Sequence, residues 1–240
     1  ISTRRKHRVS KTKYQGINSP FDYGEVLQTG YVDTKLLLAA YKKYLLENNL
    51  SLQETFDYQS IQFHDDFIEY KQLKAKHIIF AEGFGLHANP YFNYLPLDGT
   101  KGELFIIKAP QLNLDVIINT SVFILPLGND LFKVGATYNW QDKTNIPTED
   151  GKKELLDRIH EILDCEFEIL DHFAGVRPTV RDRKPLIGTH PKFPQLHLLN
   201  GLGTRGVMLG PSMAIELFDS IEHQKPLDKA IDIKRYEKKM

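Results

Sequence analysis

Residues 200–211 read NGLGTRGVMLGP and set Gly201, Gly203 and Gly206 in the spacing G-x-G-x-x-G. Glycines so spaced let backbone N–H groups approach an anionic group and lead into a helix whose N-terminal end carries partial positive charge. The dinucleotide fingerprint built on this spacing also needs a strand before it, a helix after it, and an acidic residue about twenty positions on, closing a second strand. The first two are legible: LHLLN is an apolar run, and PSMAIELFDSIEH sets Met213, Ile215, Leu217, Phe218 and Ile221 at helix-like spacing, with a proline at the expected first turn. The third fails, because HQKPLDKAIDIKRYEKKM follows Glu222 and holds no apolar strand. The stretch therefore opens no mononucleotide-binding fold. It is either a tight turn before a packing helix or a glycine turn that brings a helix N-terminus to an anionic ligand.

A second constellation is AGVRPTVRDRKPLIG, residues 174–188, with Arg177 between a valine and a proline at the end of an apolar strand. A guanidinium in that place offers a planar fork suited to a carboxylate. Arg177 is thus a ligand anchor or one half of a structural ion pair. Other clusters carry less. His160 and Asp164 stand at i, i+4 on an expected helix with no third ligand, so no metal site is expected. His64, Asp65 and Asp66 alternate faces of an expected strand, and GPSMA lacks the last glycine of a nucleophile elbow.

The elements that position these residues follow from pattern. TGYVDTKLLLAAYKKYLLENN predicts an amphipathic helix capped by Asp33 or Thr34, with Leu37, Leu38, Tyr41 and Leu45 on one side. Turn residues over 14–30 predict a hairpin, and alternation from Leu50 predicts a meander ending in the buried strand HIIFA, which runs into Gly83. GELFIIKAP, DVIINTSVFILPLG and DLFKVGATYNW predict a large, mostly antiparallel sheet with a turn at GND, and KKELLDRIHEILDCE a helix. The fold class is mixed α+β.

Composition narrows the function. The 240 residues carry 31 basic and 31 acidic side chains, so net charge argues neither for a nucleic-acid binder nor for an acidic-surface partner, and nucleic acid is not the expected partner. The basic opening ISTRRKHRVSKTK is the one contrary feature. The single cysteine, Cys165, excludes a disulfide framework and fits a reducing compartment. No apolar run reaches the length of a membrane span and no signal peptide opens the chain, which reads as cytoplasmic. The missing initiator methionine suggests a start inside a larger polypeptide.

Five stretches in order, GYVDTKLLLAAYKKYL, HIIFAEG, LPLDGTKGEL, FILPLGNDLFKVGAT, and AGVRPTVRDRKPLIG with GLGTRGVMLGPSMAIELFDSI, carry a resemblance. Over roughly residues 30–225 the sequence resembles the flavin-dependent amine and amino-acid oxidoreductases of the D-amino-acid oxidase superfamily, most of all the glycine oxidase and sarcosine oxidase branch. The resemblance implies a second, late glycine turn over the flavin end of FAD, with Gly201, Gly203, Thr204, Arg205, Gly206 and Val207 along it, the helix beginning near Pro211 and Gly83 touching the cofactor. It implies that Arg177 pairs with the substrate carboxylate and that Phe123 and Tyr138 line the pocket.

It also implies a partition: residues 1–30 and 94–176 as substrate-binding domain, 31–93 and 177–225 as partial FAD-binding domain, and 226–240 as a tail. Three departures qualify the match. The first glycine fingerprint is absent from this sequence, so an N-terminal βαβ segment of the same polypeptide is expected elsewhere. Phe123 stands where glycine oxidase relatives have a tyrosine. No cysteine follows Arg177, so FAD is expected to be non-covalent. The expected activity is oxidation of an amine or amino acid by hydride transfer to flavin. The alternatives are a tRNA wobble-uridine modifying oxidase of the same superfamily and a non-catalytic substrate-binding fragment.

Overall fold

The computed structural model describes residues 7–10 and 12–239, so Arg4, Arg5, Lys6 and Lys11 of the basic opening lie outside the described residues. In chain order the elements are β1 (His7–Ser10), β2 (Tyr23–Val26), α1 (Thr34–Glu47), β3 (Ile61–Phe63), β4 (Ile68–Tyr70), β5 (Leu73–Ala75), β6 (Ile78–Phe80), β7 (Thr100–Lys108), β8 (Ile118–Asn119), β9 (Phe123–Gly128), β10 (Leu131–Gly135), α2 (Glu149–Ile162), β11 (Glu168–Arg177), β12 (Leu186–Thr189), β13 (Leu196–Asn200) and α3 (Gly206–Glu222). The chain divides into two compact units, Ile1–Thr29 with Gly99–Arg177 and Gly30–Asp98 with Pro178–Met240.

In the first unit β2 pairs antiparallel with β1, and the main sheet runs β11-β7-β10-β9-β8, antiparallel at every step. The β9–β10 turn falls on Gly128, Asn129 and Asp130, all at positive φ, where Asn and Asp are the non-glycine residues that adapt best. Phe105, Ile107, Ile124, Phe132 and Val134 from the sheet pack on Leu155, Ile159 and Ile162 of α2. Each such burial is worth about 1.5–3 kcal/mol. Thr148 caps α2 by accepting from Gly151 N at 3.0 Å. The helix ends at Ile162, so Asp164 falls beyond it and shares no helix face with His160. On the α2 side of β7, Lys101 and Glu103 are buried as a pair 3.4 Å apart, and Glu103 Oε1 and Oε2 accept from Thr148 Oγ1 and N at 2.8 and 3.0 Å.

In the second unit β13 pairs parallel with β6 and antiparallel with β12, and β3-β4-β5 form a meander. Phe80, Leu86, Phe92, Leu95, Leu186, Leu196 and Leu198 fill its core. The C-terminal stretch contributes Ile231 and Ile233 to buried clusters, and Arg235 Nη2 donates to Pro185 O at 2.9 Å. Asp33 caps α1, accepting from Leu36 N at 3.0 Å. None of the α1 residues is buried, so the expected apolar stripe meets no core among the described residues. The start of α3 corrects the sequence expectation. The helix begins at Gly206, and Pro211 lies inside it, where the missing N–H leaves the Val207 carbonyl without its helical donor.

His197 on β13 is 2% exposed, with Nδ1 2.9 Å from Thr189 Oγ1 and Nε2 3.0 Å from His77 Nδ1. Burial, then the neighbouring His77, lowers its pKa to about 4. A folded pKa below the unfolded value of about 6.5 means that the stabilisation is full above that value and is lost as pH falls towards 4. Urea denaturation across pH 7 to 4 should show a loss on the order of 2–3 kcal/mol, and His197→Asn should flatten that slope.

Among the described residues no helix is long and apolar enough to cross a membrane, and no group of three or more metal-ligating side chains occurs.

Candidate functional site

Strand parity sorts the first unit's sheet. Phe105 and Ile107 face α2, so Gly102, Leu104 and Ile106 of β7 face the other way. The register sets Phe123, Gly135, Leu104 and Phe173 in one row across four strands on that open face. In the next row Gly102 stands opposite Gly175. Thr137 N donates to Glu103 O at 3.2 Å, and Lys101 and Asn139 exchange backbone bonds of 2.9 Å, which sets Tyr138 beside Gly102.

Arg177, opposite Thr100, turns its guanidinium back over Gly102. Its Cζ lies 4.6 Å from the centroid of the Tyr138 ring, and Nη1 donates to Thr137 O at 3.3 Å. A Cβ on Gly102 would stand 1.9 Å from Arg177 Nη2, so the seat exists because residue 102 has no side chain. Burial pulls the guanidinium below its ordinary pKa, with Tyr138 opposing. It remains a cation at any working pH.

Arg177, Tyr138 and Phe123 therefore share one sheet face, with Phe123 two strands across and one row along from Gly102, about 12 Å away. Sequence reasoning missed Gly102, Gly175 and Thr137. The available signal was a pair of glycines inside two apolar strands, which marks a close approach.

The second unit carries the glycine turns. The parallel strands β6 and β13 end side by side, and the crevice beyond such carboxyl ends is where open α/β sheets bind ligands. β6 runs into Gly83 at φ +58, and β13 into Gly201 at φ +71 and Gly203 at φ +57. Asn200 clasps the two turns, donating from Nδ2 to Gly83 O at 2.9 Å and accepting from Gly201 N at 2.8 Å. Glu82, just before Gly83, is held by Tyr58 Oη and by Asn89 Nδ2 at 2.8 Å. Burial, then Glu82, pushes the Tyr58 phenol up to about 12. Asn200 was also missed in the sequence, where its only mark was a polar residue closing an apolar strand.

The glycines differ in duty. No described atom lies within 4 Å of where a Cβ on Gly83 would stand, and only Thr179 Oγ1, at 3.9 Å, approaches that of Gly203. Gly201 points into the core, where a Cβ would meet Val180 Cγ2 at 2.9 Å and Leu186 N at 3.0 Å. Gly201→Ala should lower stability by about 2–3 kcal/mol, and Gly203→Ala by only about 1 kcal/mol from its positive φ. Equal losses in urea denaturation would contradict this division.

Gly203, Thr204 and Arg205 form a single 3-10 turn, and α3 follows directly with Gly206 and Val207. Among the described residues no side chain caps α3 and no acidic residue stands in its first turn, so its positive end is unopposed. Arg205 Nη2 donates to Arg183 O at 2.7 Å, and Thr204 and Val207 are exposed. Bare glycine backbone beside an uncapped helix start fits a planar, negatively charged cofactor.

Comparison with known proteins bears on the family and the fold. The profile of the DAO family, FAD dependent oxidoreductase, matches residues 9–219. The tRNA 5-methylaminomethyl-2-thiouridine biosynthesis bifunctional protein MnmC of Marinobacter nauticus is 26% identical over 170 residues, which are 64% of this chain and 27% of that protein. Glycine oxidase of Bacillus subtilis is 24% identical over 158 residues, 63% of this chain and 42% of the enzyme. The chain thus spans less than half the length of these relatives. Among solved structures, glycine oxidase from Geobacillus kaustophilus superposes with a TM-score of 0.68 at 22% identity, covering 90% of this chain and 58% of that one. L-amino acid deaminase from Proteus vulgaris gives 0.72 at 11% identity, covering 98% and 70%. At these identities the structural likenesses establish the fold.

Proposed function

Because the chain belongs to the DAO family of FAD dependent oxidoreductases, we propose that it acts in the oxidation of an amine or amino acid bearing a carboxylate, with Arg177 as the carboxylate anchor. The observation that carries this reading is the Arg177 guanidinium set over the Gly102 backbone, with its Cζ 4.6 Å from the centroid of the Tyr138 ring. A guanidinium already seated by its bond from Nη1 to Thr137 O loses little further side-chain freedom on binding, and its planar fork suits a carboxylate. Tyr138 covers one face of the cation and strengthens its bonds by excluding water. Phe123, Leu104 and Phe173 supply an apolar row for the rest of the substrate.

In the second unit Gly83 and Gly203 let the flavin approach bare backbone, Gly201 bends the chain, and Thr204, Arg205, Gly206 and Val207 carry the turn into α3. The N–H groups at the start of α3 favour negative charge there. FAD, when bound, supplies the hydride acceptor, and holding the substrate in one orientation lowers the barrier by several kcal/mol. The amine enters neutral and no side-chain base is assigned. Cys165, the single cysteine, packs on the first unit's core, and FAD is held without a covalent link. A thiol left reduced fits the cytoplasm.

The test is flavin binding and reduction. Purified protein titrated with FAD should quench flavin fluorescence, and sarcosine or glycine added anaerobically should bleach the absorbance. Failure to bind FAD would reduce the chain to a substrate-binding fragment. A second reading is favoured by the likeness to the MnmC protein: an amine carried on a tRNA base. It requires tRNA binding that weakens steeply with salt, and salt-independent or absent binding would remove it.

A further inference from the structure

The rows of the first unit's sheet place two glycines face to face, Gly102 on β7 and Gly175 on β11. Their environments are opposite. The space above Gly102 is filled by the Arg177 guanidinium, whose Nη2, Cζ and Nη1 would lie 1.9, 2.2 and 2.2 Å from a Cβ at that position. At Gly175 no described atom beyond the adjoining residues lies within 4 Å of the Cβ position. Gly175 does not have a positive φ, so backbone strain does not account for its being glycine. A glycine inside a strand weakens it, and here both are kept at the same rung, one occupied by the cation and one bare beside it. Bare sheet next to a carboxylate anchor is room for whatever the α-carbon carries.

We propose that Gly102 is a positioning residue and Gly175 a specificity-determining residue of this site: Gly102 seats the Arg177 guanidinium against β7, and the open floor at Gly175 receives the side chain borne by the substrate's α-carbon. The inference rests on the reading of Arg177 as carboxylate anchor. Any side chain at 102 lifts the guanidinium off the sheet and out from under Tyr138. Any side chain at 175 leaves the cation in place and shortens the room beside it.

The test uses the whole chain and two probes, acetate and phenylacetate, with the arginine Nε–H signals followed by NMR and Arg177 assigned from Arg177→Lys. In the unsubstituted protein the Tyr138 ring current sets the Arg177 signal apart, and both acids shift it. Gly102→Ala is expected to return that signal to the range of exposed arginines and to raise the acetate Kd at least about tenfold, as loss of a charged hydrogen-bonding pair does. Gly175→Val is expected to keep the signal and hold the acetate Kd within about twofold, while raising the phenylacetate Kd at least about tenfold by occlusion.

An unmoved Arg177 signal in Gly102→Ala, or equal weakening of both acids by Gly175→Val, overturns the inference and leaves the anchor reading standing. Carboxylates that leave the Arg177 signal of the unsubstituted protein unchanged overturn the anchor reading and the inference with it. Should Gly102→Ala fail to fold, the double variant Gly102→Ala with Arg177→Ala decides. It folds if the guanidinium is what a side chain at 102 displaces, and its failure to fold overturns the proposal.

Discussion

Lys101→Met is expected to lower stability by about 3–5 kcal/mol, the usual result of leaving a buried charge without its partner. The Lys101 side chain is 0% exposed and that of Glu103 only 4%. The ammonium lies 2.5 Å from Asp142 Oδ2 and also donates to Ile146 O. Burial works against its charge, but Asp142 and Glu103 outweigh burial and hold its pKa above the ordinary value. Glu103 is likewise opposed by burial, yet kept below the ordinary carboxylate range by Thr148 and Lys101.

Removing the cation therefore leaves the buried Glu103 carboxylate, which also fastens the start of α2, with Thr148 and His172 Nε2 at 2.8 Å but without Lys101. The carboxylate packs directly on the α2 backbone, where a Cβ on Gly151 would stand 2.4 Å from it. Urea denaturation at pH 7 measures the loss, and Lys101→Met with Glu103→Leu should recover most of it. A loss under about 1 kcal/mol would mean that water reaches the pair and screens it. The network bears on the site because Lys101 and Glu103 flank Gly102 on β7 and hold the rung on which the guanidinium rests.

Arg177→Gln is expected to raise the Kd or KM of a carboxylate ligand about 10- to 100-fold, since hydrogen bonds to charged groups contribute about 1.5–3 kcal/mol. Arg177→Lys should recover little of this. An ammonium is a point charge with no plane to lie between Gly102 and Tyr138, and it cannot meet both carboxylate oxygens at once. Calorimetric titration with acetate reads the effect. Binding to Arg177→Gln as tight as to the unsubstituted protein would remove Arg177 from the site.

Much of the fold was legible because period and punctuation agree. The strand over β7, the GND turn, the helix α2 and a cap at Asp33 or Thr34 all follow from local rules. The boundary of α3 was misplaced because Pro211 reads as a first-turn residue, whereas the chain accepts a proline inside the helix. α1 shows the converse: its apolar spacing predicts a buried stripe, and none of its residues is buried. Arg177 was identifiable as a candidate from its place at the end of an apolar strand, and Tyr138 and Phe123 from the family resemblance. Nothing in their spacing could say that Arg177 and Tyr138 touch, because that contact needs β7 to lie between β10 and β11.

The sequence by itself determined the mixed α+β class, the late glycine turn ahead of a helix, and an arginine closing an apolar strand. These rest on the chemistry of neighbours along the chain. Only the tertiary structure decided which glycines seat a side chain, which leave open floor and which bend the backbone into the core. The reason is that a glycine's meaning lies in what fills the space its missing Cβ vacates, and that space is supplied by strands distant in sequence.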